Sequence, residues 1–162
     1  MNSEKVYFGA GCFWGVEYYF QKLDGVLFTK VGFMGGSLKN PSYRQVCTEN
    51  TGHVEVVEVE YDPSKVDFLD LAKLFFEIHD TSQFNRQGPD VGLQYRSEVF
   101  FTILKQKEIV LELIEYLKKN GFKVLTKLTQ ASDFYLAEDY HQHYYFKNGK
   151  LPYCHARVKK FF

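Results

Sequence analysis

The chain has 162 residues with 20 Lys and Arg against 20 Asp and Glu, so its formal net charge at pH 7 is zero. A balanced charge supplies no overall field for a polyanion, which weighs against nucleic acid or an anionic membrane as a partner. The sequence has no leader of the secretory type and no apolar run of membrane-spanning length, so we expect a cytoplasmic protein. The length is that of one domain, over residues 1–162, and we expect a monomer.

The predicted elements alternate between strands and helices along the chain. The apolar patterns predict a strand at 5–8, a helix from Cys12, strands at 26–33 and 53–61, a helix at 67–79, a strand at 98–104, a helix at 105–119, a strand at 122–129, a short helix at 137–146 and a tail at 147–162. The order strand, helix, strand, strand, helix, strand is that of a split β-α-β unit. The sequence therefore predicts an α+β fold, a ferredoxin-like split β-α-β sandwich with added helices and a long irregular C-terminal tail.

Cys12 follows the glycine-rich turn Gly9-Ala10-Gly11 and lies at the start of the first predicted helix. In the first turn of a helix, unpaired backbone N–H groups and the positive end of the helix dipole favour a thiolate, which is the nucleophilic form of cysteine. The position also belongs to the apolar stripe of the helix, where a cysteine can be a small buried hydrophobic residue. This segment alone leaves both interpretations open.

The other two cysteines are Cys47 and Cys154, so the total is odd and the spacing is wide. This pattern argues against a secreted disulfide framework and favours a transient, catalytic disulfide. Cys154 lies in the tail, where a second thiol could reach and resolve an oxidised first one. Cys47 has no such setting and is expected to be structural. Spacing in the sequence does not show which two thiols pair.

Glu55 is the acid that the strand pattern points inward. On the strand 53–61 it shares a face with Val57 and Val59, whereas Glu58 and Glu60 fall on the other face and are expected to be solvated. Burial raises the pKa of a carboxyl group, which keeps it protonated near neutral pH and able to donate a proton. A strand-end acid paired with a lysine, or turned back to solvent, is the alternative.

Several other polar residues are candidates for a site. Asp90 and Tyr95 lie in a long glycine-rich loop that could approach a ligand, although turn chemistry also explains the aspartate. Tyr43, after Asn40-Pro41-Ser42, is compatible with plain packing. His141 and His143 do not share a helix face and the sequence has no CxxC or HxxxH spacing, so no metal site is predicted.

The chain resembles the peptide methionine sulfoxide reductases of the A class, and the resemblance runs from Gly9 to Cys154. It rests on several separated motifs in the family's order. The matching segments are Gly11-Cys12-Phe13-Trp14-Gly15, Val31-Gly32-Phe33 with Gly35-Gly36, Asn40-Pro41-Ser42-Tyr43, Val46-Cys47, Thr51-Gly52-His53-Val54-Glu55-Val56-Val57, His79-Asp80, Arg86-Gln87-Gly88-Pro89-Asp90-Val91-Gly92, Gln94-Tyr95-Arg96-Ser97 and Ala137-Glu138-Asp139-Tyr140-His141-Gln142.

The resemblance implies an enzyme that reduces methionine sulfoxide, free or in proteins, with preference for the S epimer at sulfur. Cys12 would be the nucleophile that attacks the sulfoxide sulfur. Glu55 would be the acid that protonates the sulfoxide oxygen, in agreement with its predicted inward face. Tyr43 and Tyr95 would hold that oxygen by hydrogen bonds.

The resemblance also implies how the substrate is bound and how the enzyme is recycled. Phe13 and Trp14 would form an apolar pocket for the terminal methyl group, and Asp90 would help to position the substrate. Attack leaves a sulfenic acid on Cys12, which Cys154 could convert to a disulfide that a thioredoxin-type dithiol reduces. No metal or organic cofactor is required.

The chain departs from the family in its tail, which many members continue with glycines and a further cysteine. No cysteine follows Cys154 here. A single resolving step is therefore expected. A thiol peroxidase or disulfide exchanger using Cys12 and Cys154 is the competing enzyme, and a metal-binding or protein-binding module is the non-enzymatic alternative.

Overall fold

The computed structural model describes residues 2–153 and 155–162. The strands are β1 (Glu4–Ala10), β2 (Val26–Met34), β3 (Val54–Tyr61), β4 (Arg86–Gln87), β5 (Asp90–Val91), β6 (Ser97–Phe101), β7 (Lys127–Gln130) and β8 (Tyr135–Leu136). The α-helices are α1 (Phe13–Gln21), α2 (Tyr43–Val46), α3 (Phe68–Glu77), α4 (Leu104–Lys119) and α5 (Tyr144–Asn148), and single 3₁₀ turns cover Leu93–Tyr95 and Asp139–His141.

Six strands form one sheet in the order β7-β6-β1-β3-β2-β8, and β4 pairs with β5 in a separate hairpin. Within the sheet every pairing is antiparallel except that of β6 with β7. Helix α1 connects β1 to β2, and α3 lies between β3 and β6 in the chain. The four strands β6-β1-β3-β2 with these two helices are a split β-α-β unit. The predicted α+β fold is confirmed.

The main core lies between the sheet and the helices. Strand β3 contributes Val57, Val59 and Tyr61 to it, and α1 contributes Val16 and Phe20. Successive residues of a strand point to opposite faces. The other face of β3 carries Val54 and Val56, which form a second apolar cluster with Tyr7, Met34 and Phe100, and Phe134 packs against it.

This second cluster corrects the expectation that Glu58 is solvated. Glu58 is 7% exposed and accepts a hydrogen bond from the Tyr7 hydroxyl at 2.8 Å. The chain before β8 places Phe134 against the same face of the sheet, on the Tyr7 ring at 5.2 Å. Glu60, one strand repeat further, is partly exposed and lies 4.0 Å from Lys5.

Several other boundaries differ from the sequence prediction. The strand predicted at 98–104 ends at Phe101, because α4 already begins at Leu104. Cys12 is the N-cap residue of α1 rather than a residue of its first turn, since its ψ of 120° is not helical. The helix predicted at 137–146 is divided into a 3₁₀ turn and α5, because His143 between them has a left-handed backbone with φ 54°. The strand predicted at 122–129 is shorter and shifted, as β7 begins at Lys127.

A side chain completes the sheet next to β8. Strand β8 pairs with β2 only at Gly32 and Phe33. At the adjoining residue, Val31, the backbone N–H donates to Gln142 Oε1 and the carbonyl accepts from Gln142 Nε2, both at 2.9 Å. The Ala137 N–H also donates to the Val31 carbonyl. These bonds fix the segment 137–142 against the strand that faces α1.

Candidate active site

Cys12 lies where β1 ends and α1 begins. Gly11 turns the chain at this point with a φ of +92°, a conformation that L side chains rarely adopt. Cys12 is partly buried, and its carbonyl accepts the first helical hydrogen bond, from Val16 at 3.4 Å. The thiol is thus carried on the N-cap residue of α1, at the end where the first backbone N–H groups have no partner within the helix and negative charge is stabilised.

Glu55 lies in β3, and its side chain reaches the first residue of α1. The carboxyl group is 1% exposed, and Oε1 accepts a hydrogen bond from the Phe13 backbone N–H at 3.2 Å. Its other oxygen, Oε2, is buried without a hydrogen-bond partner among the described residues. Burial raises the pKa of Glu55 to about 8, the Phe13 N–H opposes this, and the charge of Asp90 adds to it. At neutral pH the group is a protonated acid.

Two tyrosines from separate segments approach the same carboxyl group. Tyr43 is the first residue of α2, where Ser42 and Gln45 form a capping box. Tyr95 ends the 3₁₀ turn after β5. Burial first, and then the charge of Glu55, raise the pKa of each phenol well above its usual range, while a hydrogen bond from Tyr43 opposes the shift at Tyr95. Both hydroxyl groups therefore keep their protons and act as donors.

Asp90 lies on the hairpin β4–β5, where it pairs with Gln87. Its Oδ2 is buried and has no hydrogen-bond partner in the part of the chain that the structure describes. The negative charge of Asp90 contributes an upward shift to the pKa of Glu55 and to that of His155. The long loop thus contributes an acid to the group around Glu55.

Phe13 and Trp14 differ in how much surface they expose. Phe13 is 1% exposed and packs on Phe33, with ring centroids 5.7 Å apart, so it forms a wall within the core. Trp14 is partly buried, and its ring stacks on Tyr144 at 3.8 Å with an interplanar angle of 5°. Of the two, Trp14 has the more accessible apolar surface beside Cys12.

His141 occupies a central place that the sequence reasoning missed. The Trp14 indole N–H donates to His141 Nδ1 at 2.9 Å, and the imidazole contacts the rings of Phe13 at 5.3 Å and Tyr43 at 4.4 Å. Burial lowers the pKa of His141, which keeps it neutral, so the proton is on Nε2. This nitrogen is buried without a partner among the described residues. No motif or residue spacing around His141 in the sequence predicts its contacts with Trp14, Phe13 and Tyr43.

Cys47 also lies closer to this group than expected. It follows α2 as its C-cap residue, and its thiol interacts with the Tyr43 hydroxyl. Burial raises the pKa of Cys47, so it remains a thiol at neutral pH. Cys154, the second thiol expected to take part in chemistry, lies outside the described residues.

No group of three His, Cys, Asp or Glu side chains that could hold a metal ion occurs in residues 2–153 and 155–162. His143 instead lies 3.5 Å from the carboxyl group of Glu17. None of the described helices is long and apolar enough to cross a membrane.

Residues 4–162 match the family model described as peptide methionine sulfoxide reductase. The chain is 51% identical over 150 residues to the peptide methionine sulfoxide reductase MsrA of Nautilia profundicola, covering 93% of this chain and 87% of that protein. It is 51% identical to the MsrA of Methanothermobacter thermautotrophicus, covering 91% and 89% of the two chains.

Solved structures give the same relationship. Mxr1 from Saccharomyces cerevisiae in its reduced form superposes with a TM-score of 0.88 and 36% identity, covering 96% of this chain and 92% of that chain. Methionine sulfoxide reductase A of Corynebacterium diphtheriae gives 0.83 and 41%, covering 94% and 77%. Mxr1 in complex with Trx2 gives 0.63 and 25%, covering 96% and 89%.

Proposed function

The chain belongs to the peptide methionine sulfoxide reductase family and is an oxidoreductase that reduces methionine sulfoxide; we propose that it acts on the S epimer, free or in proteins, through the thiol of Cys12. One observation carries the proposal. Glu55 is fully buried, and its carboxyl group accepts a hydrogen bond from the backbone N–H of Phe13, which is the residue after Cys12. A nucleophile at a helix start and a protonated acid beside it are the two groups that sulfoxide reduction needs.

The reductase step begins with the Cys12 thiolate, which attacks the sulfoxide sulfur. Glu55 gives its proton to the sulfoxide oxygen, which becomes a better leaving group once protonated. The oxygen passes to the Cys12 sulfur, so that methionine is released and Cys12 becomes a sulfenic acid. The substrate sulfur is reduced by two electrons and the cysteine sulfur is oxidised by two.

The neighbouring side chains orient the substrate for this step. Tyr43 and Tyr95 donate hydrogen bonds to the sulfoxide oxygen, since their raised pKa values keep both hydroxyl groups protonated. Trp14 and Phe13 enclose the terminal methyl group, with Phe13 as the buried wall. Asp90 accepts a hydrogen bond from the substrate through its buried oxygen.

Recycling uses a second thiol. Cys154 attacks the sulfenic sulfur of Cys12, which forms an intramolecular disulfide and releases the oxygen as water. A thioredoxin-type dithiol then reduces this disulfide by exchange, so all electrons come from thiols and no metal or organic cofactor is needed. The structure of the relative Mxr1 in complex with Trx2 supports such a partner.

Single-turnover reduction of resolved sulfoxide epimers tests the proposal. The wild-type chain should convert the S epimer and leave the R epimer. Cys12→Ser should abolish methionine formation, whereas Cys154→Ser should still form about one methionine per enzyme because it can complete the first step. Robust reduction by Cys12→Ser would contradict the role of this thiol. Faster turnover of a peroxide than of either epimer would favour the thiol peroxidase instead.

A further inference from the structure

The residue after Cys154 is held against the helix that Cys12 caps. His155 is 5% exposed, and its Nε2 donates a hydrogen bond to the Ala10 carbonyl at 2.6 Å. The Tyr19 hydroxyl, two turns along α1, donates to the His155 carbonyl at 3.2 Å. Both the ring and the backbone of this residue are therefore fixed, one to the end of β1 and the other to α1.

Two glycines make room for the imidazole. A Cβ atom at Gly15 would overlap His155 Nδ1 and would come within 3.0 Å of Cγ and Cε1 of the same ring. A Cβ atom at Gly11 would lie 3.3 Å from His155 Nε2 and 2.8 Å from the Gln87 Cβ. The turn explains glycine at position 11 through its positive φ, but no such backbone reason applies at position 15. Glycine weakens a helix, so its occurrence at position 15 is explained by the His155 ring, which occupies the space that a side chain would need.

A second anchor follows a few residues later. The Arg157 guanidinium pairs with Glu77 at 2.9 Å, and the Lys160 N–H donates to the same carboxylate at 2.9 Å. The Lys160 ammonium group donates to the His79 carbonyl at 2.8 Å. These contacts fix residues 157–160 to the end of α3, so the chain after Cys154 is attached at two places.

We propose that His155 is a positioning residue for recycling: its imidazole lies between Gly11 and Gly15, and this anchor on the residue next to Cys154 in the sequence speeds the attack of the Cys154 thiol on oxidised Cys12. The inference rests on the proposed role of Cys154 as the resolving thiol. Burial lowers the pKa of His155, and the Ala10 carbonyl and Asp90 oppose this. The ring is thus a neutral donor that fits an uncharged backbone carbonyl.

The reason for such a contact is effective concentration. A thiol on an unanchored segment meets its partner at about millimolar effective concentration, whereas an oriented one reaches far higher values. His155→Ala removes the donor and the ring but leaves every residue of the reductase step in place. It should therefore keep the methionine burst of about one per enzyme and slow the formation of the Cys12–Cys154 disulfide roughly tenfold or more.

The test follows both steps in the full chain by rapid quenching after mixing with one equivalent of a methionine S-sulfoxide peptide. Methionine release reports the first step, and mass mapping of the disulfide with trapping of the sulfenic acid reports the second. Lys159→Ala, an exposed residue of the same tail, is the matched control and should leave both rates unchanged.

Gly15→Ala approaches the same contact from the helix side and should slow disulfide formation to a similar extent. In the double variant Gly15→Ala with His155→Ala the effects should not multiply, because the added methyl group meets no ring. Disulfide formation at the wild-type rate in His155→Ala, or effects that multiply in the double variant, would overturn the inference. Cys154→Ser separates this from the proposed function: if that variant recycles with thioredoxin at the wild-type rate, the resolving role itself is wrong.

Discussion

Glu55→Gln should separate the chemistry of the buried acid from its effect on folding. Glutamine has nearly the same shape and keeps an oxygen that can accept from the Phe13 N–H, but it has no proton to give. With a pKa of about 8, roughly nine in ten Glu55 side chains are protonated at pH 7. Loss of a well-placed general acid slows a reaction about 10² to 10⁴-fold. We expect a decrease of this size in the single-turnover rate, with one methionine still formed per enzyme.

Although Glu55→Gln should slow the reaction, it should increase the free energy of unfolding relative to the wild type at higher pH. The pKa of Glu55 in the folded chain lies above its ordinary value of 4.5, so between pH 4.5 and 8 the folded state binds more protons than the unfolded state. Its contribution to stability is fully present below 4.5 and is lost as the pH rises towards 8. At about 1.4 kcal/mol per pH unit, the loss reaches about 5 kcal/mol across this interval. Glu55→Gln avoids this loss and should become more stable relative to the wild type as the pH rises.

Two measurements that compare the wild type with Glu55→Gln test the expected changes in rate and in stability. Quenched single turnovers give the rate, and urea unfolding at pH 5, 6.5 and 8 gives the free energy of unfolding. Glu60→Gln, on the same strand and partly exposed, is the control and should change neither. An unchanged rate in Glu55→Gln would remove Glu55 as the proton donor. A stability difference that does not vary with pH would show that its carboxyl group is not buried in the neutral form.

Three further substitutions test other parts of the structure. Tyr43→Phe removes one hydroxyl donor and should lower the single-turnover rate on the order of 10²-fold without raising KM; a raised KM with an unchanged rate would mean that the hydroxyl binds substrate without stabilising the transition state. Trp14→Phe removes the hydrogen bond to His141 while keeping an apolar ring, so steady-state kinetics should show KM raised about fivefold, equivalent to about 1 kcal/mol, and an unchanged KM would argue against a substrate-binding role. Tyr7→Phe leaves buried Glu58 without its donor and should cost about 1 to 3 kcal/mol in urea unfolding with the reductase rate unaffected; a slower rate would mean that the second face of the sheet communicates with the site.

The inward position of Glu55 could be predicted because a single strand with period-2 alternation determines it. Val57 and Val59 lie on the same face and are buried with it. The alternation did not predict that Glu58 is buried too, because that depends on Phe134 and the chain before β8 covering the second face. A strand pattern shows which residues share a face, but it does not show whether a distant segment covers that face.

The convergence of Tyr43, Tyr95 and Asp90 on Glu55 could not be worked out from patterns in the chain. Each lies in a short loop element whose position depends on turns and on contacts distant in sequence, such as the Glu138 carboxylate that accepts from the Tyr43 N–H at 3.2 Å. Their predicted roles came from the family resemblance and remain predictions. The sequence pattern raises His141 only as a possible metal ligand, because the contact that places it beside Trp14 joins residues 127 positions apart in the chain.

The bonds between Gln142 and Val31 tie the position of His141 to the register of the sheet. A primary amide has the same kinds of donor and acceptor as a peptide group. The side chain of Gln142 therefore forms with Val31 the pair of hydrogen bonds that a longer β8 would form. His141 directly precedes Gln142 in the chain, so the two hydrogen bonds that hold the Gln142 amide to Val31 also restrict where the imidazole of His141 lies beside Trp14. The imidazole that lies against Trp14, Phe13 and Tyr43 is therefore positioned at the margin of the β-sheet, by hydrogen bonding to the main chain of β2.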